Sequence, residues 1–235
     1  MRVVRIKDTG APLVVLFAGW GMDETPFADF WSADVTSASG SADILSAQEY
    51  DFAVCCDYTD LNNFAISQFP NFAIHRVIAF SFGVWAASAL FARFPELAAA
   101  PERIAINGTP YPIDDNFGIP TATFDATLAN FSSPTLAKFE RRMCGDAASL
   151  AHYQSRHPKR SLESLREELR NCEIAKLRNT CNFHFTHSII GTRDAIFPPQ
   201  NQHAAWAKHP STKITTVDAP HYSDALLRDA VRGMI

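Results

Sequence analysis

The chain has 235 residues, 47% of them hydrophobic and 20% charged, with a formal net charge of −4. That length and balance describe a globular chain able to bury a sizeable core, and they exclude a disordered or fibrous one. The modest charge argues against general nucleic-acid binding, and the longest uncharged apolar stretch, 82–92, falls well short of the ~20 residues that span a bilayer.

In chain order, the opening residues mix Arg2, Arg5 and Lys7 with Val and Ile, and the short apolar run 11–18 follows. Both read as strand rather than signal peptide. Five cysteines, Cys55, Cys56, Cys144, Cys172 and Cys181, make an odd set without CxxC spacing. They suggest neither a disulfide framework nor a zinc site, so a reducing cytoplasm is the expected location.

Short runs rich in β-branched or aromatic residues predict strands at 3–7, 13–17, 52–56, 76–80, 103–106, 186–190 and 213–217. Helical patterns at 83–93 and 223–232 alternate with them, which implies an α/β fold with a largely parallel sheet covered on both faces. The strand before Ser81 should be central. From about Pro120 the alternation stops. Residues 161–170 place leucines at helical spacing behind a Ser-x-x-Ser start. The reading is a helical cap at 120–182 between two parts of one core, 1–119 and 183–235. Such a cap would hang over the carboxyl ends of the strands, where open sheets bind ligands. Between Lys138 and Arg178 ten basic residues face six acidic ones, a mildly basic insert on an acidic body.

Ala79-Phe80-Ser81-Phe82-Gly83 joins a predicted strand to a predicted helix. A nucleophile elbow needs small residues two before and two after its serine, because the sharp turn brings strand and helix together. Ala79 and Gly83 meet that need, although a helix N-cap serine is the structural alternative. A serine hydroxyl needs a base, and the base needs an orienting carboxylate. Asp194 lies in the turn after a late strand and His221 just beyond the last one, so the order Ser81, Asp194, His221 is that of an α/β-hydrolase triad. Asp114, Asp115 and Asp57 are weaker candidates for the acid. Phe17-Ala18-Gly19-Trp20-Gly21-Met22 can supply an oxyanion donor from Trp20, alongside the N–H of Phe82. A dinucleotide loop is disfavoured at the same place, because Glu24 occupies the third glycine position. His75, His152, His157, His184, His187, His203 and His209 show no metal-ligand spacing, and no metal or cofactor is expected. Phe124, Leu128, Phe131, Leu136 and Phe139 form an apolar stripe that either lines an acyl tunnel or packs as core.

These motifs carry a resemblance to the α/β-hydrolase superfamily across nearly the whole chain. Three segments, Phe17 to Asp23, Cys56-Asp57-Tyr58 and the long run from Asn107 to Pro120, resemble the BioG type of pimeloyl-acyl carrier protein methyl ester esterase. The resemblance implies a mostly parallel central sheet flanked by helices, with the cap inserted after the sixth strand. It also implies a serine carboxylesterase that hydrolyses the methyl ester of pimeloyl-acyl carrier protein during biotin synthesis, with Ser81, Asp194 and His221 catalytic and Trp20 at the oxyanion. The implied partner is an acyl carrier protein bearing its acyl chain on phosphopantetheine, and neither nucleic acid nor membrane. Because a carrier protein is acidic, Arg141, Arg142, Arg156, Lys159, Arg160, Arg166 and Arg170 are the expected docking contacts. A solvated helical face is the simpler reading of those charges, with Glu163 facing Arg166 and Glu167 facing Arg170. A general short-chain carboxylesterase, an acyl thioesterase and a catalytically silent binding module remain as alternatives.

Overall fold

Continuous apolar runs make strands that must be covered on both faces, and the central strands follow that rule. In the computed structural model, which describes residues 1–30, 50–69, 73–173 and 185–235, β2 (Leu13–Phe17) and β3 (Asp51–Cys56) are buried throughout. The same holds for β4 (Ile74–Phe80) but for one half-buried residue. With β1 (Arg2–Lys7), β5 (Glu102–Ile106), β6 (His187–Arg193) and β7 (Lys213–Pro220) they form one seven-stranded sheet in the order β1-β3-β2-β4-β5-β6-β7. Only β1 is antiparallel, to β3. β4, which leads to Ser81, sits at the centre, and the carboxyl ends of β2, β4, β6 and β7 open on one edge.

Two helices, α1 (Phe82–Phe91) and α2 (Pro95–Ala98), connect β4 to β5. Among the described residues four more lie between β5 and β6: α3 (Thr121–Ala129), α4 (Ser133–Cys144), α5 (Ala147–Ser155) and α6 (Leu162–Glu173). Among the described residues five strands, and not six, precede this helical insertion. Its helices begin where the sequence offers caps. Asp146 accepts from the Ser149 N–H at 2.8 Å to start α5, and Ser161 accepts from the Ser164 N–H at 3.1 Å to start α6. Gly145, in the left-handed region at φ 79°, ends α4. The leucines read at helical spacing, Leu165 and Leu169, turn inward with Cys172. Residues 174–182, the end of the expected cap, lie outside the described residues. After β6, α7 (Pro199–Trp206) and α8 (Asp224–Arg232) alternate with β7. Among the described residues no helix is long and apolar enough to cross a membrane.

Candidate active site

Ser81 stands where β4 gives way to α1, with φ 58° and ψ −125°. For a residue with a Cβ this is a strained conformation, and it persists because the surroundings dictate it. Its N–H donates to the Ile106 carbonyl at 3.0 Å. A Cβ on Gly83 would come within 2.3 Å of the Phe17 carbonyl oxygen, so strand-end and helix approach too closely for any side chain there. At the other small position Ala79 is fully buried and its methyl group is accommodated. Gly108 is a second close approach that the sequence reading did not single out, since a Cβ there would fall 2.4 Å from the Ser81 carbonyl oxygen.

The structure brings Ser81, His221 and Asp194 into one hydrogen-bonded chain. His221 Nε2 lies 3.0 Å from Ser81 Oγ, and His221 Nδ1 lies 2.9 Å from Asp194 Oδ2. With a carboxylate beside Nδ1, that nitrogen carries the proton and Nε2 is left to accept from the serine. All three residues are buried. Asp194 is itself fixed: Oδ1 accepts from the N–H groups of Ile196 and Phe197, each at 2.8 Å, and Oδ2 from Gln202 Nε2 at 2.9 Å. The imidazole stacks on Phe197 with ring planes 5° apart. Behind the histidine, Asn107 Nδ2 donates to the carbonyls of Pro220 and His221, while its Oδ1 accepts from the Gly191 N–H. Gln202 and Asn107 were not read as site residues. Asn107 was visible only inside a longer motif, and nothing in the spacing of Gln202 distinguished it.

The weaker acid candidates go elsewhere. Asp114 accepts from the N–H groups of Asn116 and Phe117 as a turn former, and Asp115 accepts from the Thr121 N–H at the start of α3. Asp57 pairs with Arg160 at 3.2 Å.

Trp20 follows β2, and neither its backbone N–H nor that of Phe82, the first residue of α1, has a partner among the described residues. Its indole stands edge-on to Phe131 and Phe139. A largely apolar pocket opens over Ser81, walled by Trp20, Phe82, Phe124, Phe139 and Leu169, with Arg142 at its polar side. Thr123, Thr127, Phe139 and Arg142 also border a surface groove between α3 and α4, so groove and pocket share a wall. Of the apolar stripe, Phe124 and Phe139 line this pocket, while Leu128, Phe131 and Leu136 do not.

The basic residues of the insertion divide into two groups. Arg160 is nearly buried and pairs with Glu168 at 2.6 Å, and Arg156 pairs with Asp29 and Asp224. Arg166 turns from Glu163 to donate to the Phe131 carbonyl at 3.0 Å. Arg156, and Arg160 through Asp57, hold the insertion to the body, and Arg166 bonds within it, which leaves all three poorly placed to meet a partner. Arg142 donates to the Ala195 carbonyl at 2.6 Å beside the pocket. Arg141, Lys159 and Arg170 are exposed.

Comparisons with known proteins match this geometry to a family. The family model described as pimeloyl-ACP methyl esterase BioG matches residues 1–228. A protein of Bacteroides fragilis (strain 638R) named malonyl-[acyl-carrier protein] O-methyltransferase is 37% identical over 220 residues, which make up 92% of this chain and 40% of that protein. The chain thus spans about two-fifths of that relative's length. The crystal structure of BioG from Haemophilus influenzae is 30% identical, with a TM-score of 0.78 over 96% of each chain. An esterase from Exiguobacterium antarcticum, at 12% identity and a TM-score of 0.68 over 99% of this chain and 92% of that one, shares the fold. With its sheet, its insertion and nearly its whole length matched, the chain belongs to the BioG family of α/β-hydrolases.

Proposed function

We propose that this protein is a serine esterase that removes the methyl group from the ester end of a pimeloyl chain carried on acyl carrier protein. The observation that carries the reading is the buried Ser81, His221 and Asp194 chain, with the Trp20 and Phe82 N–H groups unpartnered among the described residues, in a member of this family. Ser81 Oγ attacks the ester carbonyl as its proton passes to His221 Nε2. The N–H groups of Trp20 and Phe82 hold the tetrahedral oxyanion, each worth roughly 10² to 10³ in rate. Collapse expels methoxide, which takes the His221 proton and leaves as methanol. Water, deprotonated by the same nitrogen, then attacks the acyl-enzyme; collapse breaks the bond to Ser81 Oγ, which takes back the proton from His221 Nε2, and the free acid leaves and ionises. The apolar pocket suits a methylene chain, and the groove between α3 and α4 is its route from the surface. Of the basic residues, Arg141, Arg142, Lys159 and Arg170 remain available to an acidic carrier protein.

The test is methanol release from the carrier-linked methyl ester by wild type and Ser81→Ala. Release that the substitution lowers by about 10⁴-fold or more is expected. Cleavage of small esters through Ser81, with no methanol from the carrier-linked substrate, would replace this reading with a general carboxylesterase. Faster cleavage of the thioester on the same carrier would replace it with a thioesterase. A Ser81 that no fluorophosphonate labels would leave only a binding module.

A further inference from the structure

Two segments that carried the family resemblance, Phe17 to Asp23 and Cys56-Asp57-Tyr58, meet at a side chain that neither includes. Glu168, on α6, is fully buried. Its Oε2 accepts from the Gly21 N–H at 3.3 Å and from Arg160 at 2.6 Å, and its Oε1 accepts from the Tyr58 N–H at 2.8 Å. One turn earlier on the same helix face, the Leu165 carbonyl accepts from the Trp20 indole at 3.1 Å. The Tyr58 hydroxyl in turn donates to the Ala18 carbonyl at 2.7 Å. The loop bearing the Trp20 N–H is thus gripped at Ala18, at the Trp20 ring and at Gly21. Glu168 joins two of the elements that grip it.

We infer that Glu168 is a positioning residue that fixes the Trp20 N–H for the oxyanion. The inference rests on the serine esterase reading above. A buried ion pair seldom stabilises a fold more than apolar side chains of the same volume would, so stability alone gives little reason for a carboxylate here. A carboxylate does what an apolar group cannot: it accepts from two N–H groups on separate loops and sets their distance. Arg160 neutralises the charge, so that a carboxylate near the oxyanion does not oppose the negative charge developing there. Gly21, at φ 79°, lets the chain turn directly after Trp20, and without an anchor that turn could rotate the preceding peptide. Donors must stand within hydrogen-bond distance of the oxyanion, and displacement of about 1 Å is enough to lower the rate by ~10²-fold.

Glu168→Gln keeps one acceptor oxygen but turns an NH₂ group toward the second N–H donor. It is expected to lower kcat on a small methyl ester by roughly 10²-fold with KM little changed. Affinity for a boronate transition-state analogue should fall in parallel, and affinity for the free acid product should not. Because the substitution strips Arg160 of its partner, the paired change Arg160→Met with Glu168→Met serves as the second variant. It leaves the Gly21 and Tyr58 N–H groups without an acceptor, so it should unfold somewhat more easily in urea than wild type yet still fold, and it should lose kcat and boronate affinity. If either variant folds and retains wild-type kcat, or loses only KM, the positioning role is wrong while the triad stands. If wild type cleaves no ester, the serine esterase reading fails and takes this role with it.

Discussion

Asn107 is held at φ 48°, where a residue with a Cβ is uncommon and asparagine is the one best tolerated after glycine. In that conformation one amide reaches 113 and 114 residues ahead to the carbonyls of Pro220 and His221, and 84 residues ahead to the Gly191 N–H. It therefore sets the spacing between the strand end that presents Asp194 and the loop that presents His221. Asn107→Ala removes three buried hydrogen bonds and leaves their partners unsatisfied. Stability should fall by about 2 to 4 kcal/mol in urea unfolding, with kcat reduced more than KM. A variant of wild-type stability and activity would show that the two loops hold their spacing without it. Ser81, Asp194 and His221, which the fold joins in one hydrogen-bonded chain, could be picked out in the sequence because each sits at a strand end in a recognisable turn and in a recognisable order. Asn107 and Gln202 were not, because their roles exist only after distant loops have met. Glu168 was not singled out, since the pattern of a helix face does not say which carboxylate will find two backbone donors on another part of the chain.

At the scale of elements, the strand runs were legible for a simple reason: in β2, β3 and β4 both faces are buried, so the sequence is apolar without interruption. β6 extends three residues beyond the expected end at Ile190, through polar Thr192 and Arg193. Its pairing with β7 continues there, with a register shift between Gly191 and Arg193 that apolar patterning does not reveal. Among the described residues five strands precede the insertion, one fewer than expected, and they match the five apolar runs before residue 120. Where β3 starts, Asp51 holds the turn between β1 and β2. Burial opposes its charge, but the Thr9 N–H, the Thr9 hydroxyl and the Gly10 N–H all donate to it and hold its carboxyl below the usual range. The folded state therefore releases this proton more readily than the unfolded chain. The resulting stability is present above an ordinary carboxylate pKa of about 3.9 and is lost as pH falls through the lower folded value. Asp51→Asn should lower stability by about 1 to 3 kcal/mol at pH 7 and by less at pH 3, as followed by urea unfolding at both values. An equal loss at the two pH values would assign the effect to shape and not to charge.

Over the whole molecule the insertion is stitched to the body by the charges it shares with it. Arg156 reaches Asp29 and Asp224, Arg160 reaches Asp57, and the Lys159 N–H donates to Asp23 at 2.7 Å. The basic excess legible in the sequence is thus only partly available to a partner. On α4 and α6, Lys138, Arg141 and Arg170 are exposed and have no carboxylate partner among the described residues. Lys138 also borders the groove that shares a wall with the pocket over Ser81. An acidic carrier protein approaching that groove would be drawn by charges the fold does not itself use, and such steering acts on encounter and weakens with salt. Reversing Arg141 and Arg170 together to glutamate should lower kcat/KM for the carrier-linked methyl ester by about tenfold at low ionic strength, leaving a small methyl ester unaffected. In wild type the preference for the carrier-linked substrate should shrink as salt shortens the Debye length from about 10 Å at 0.1 M toward 3 Å at 1 M. If neither charge reversal nor salt changes carrier-linked turnover, the acyl arm alone selects the substrate, and the exposed cations serve only to solvate the helices.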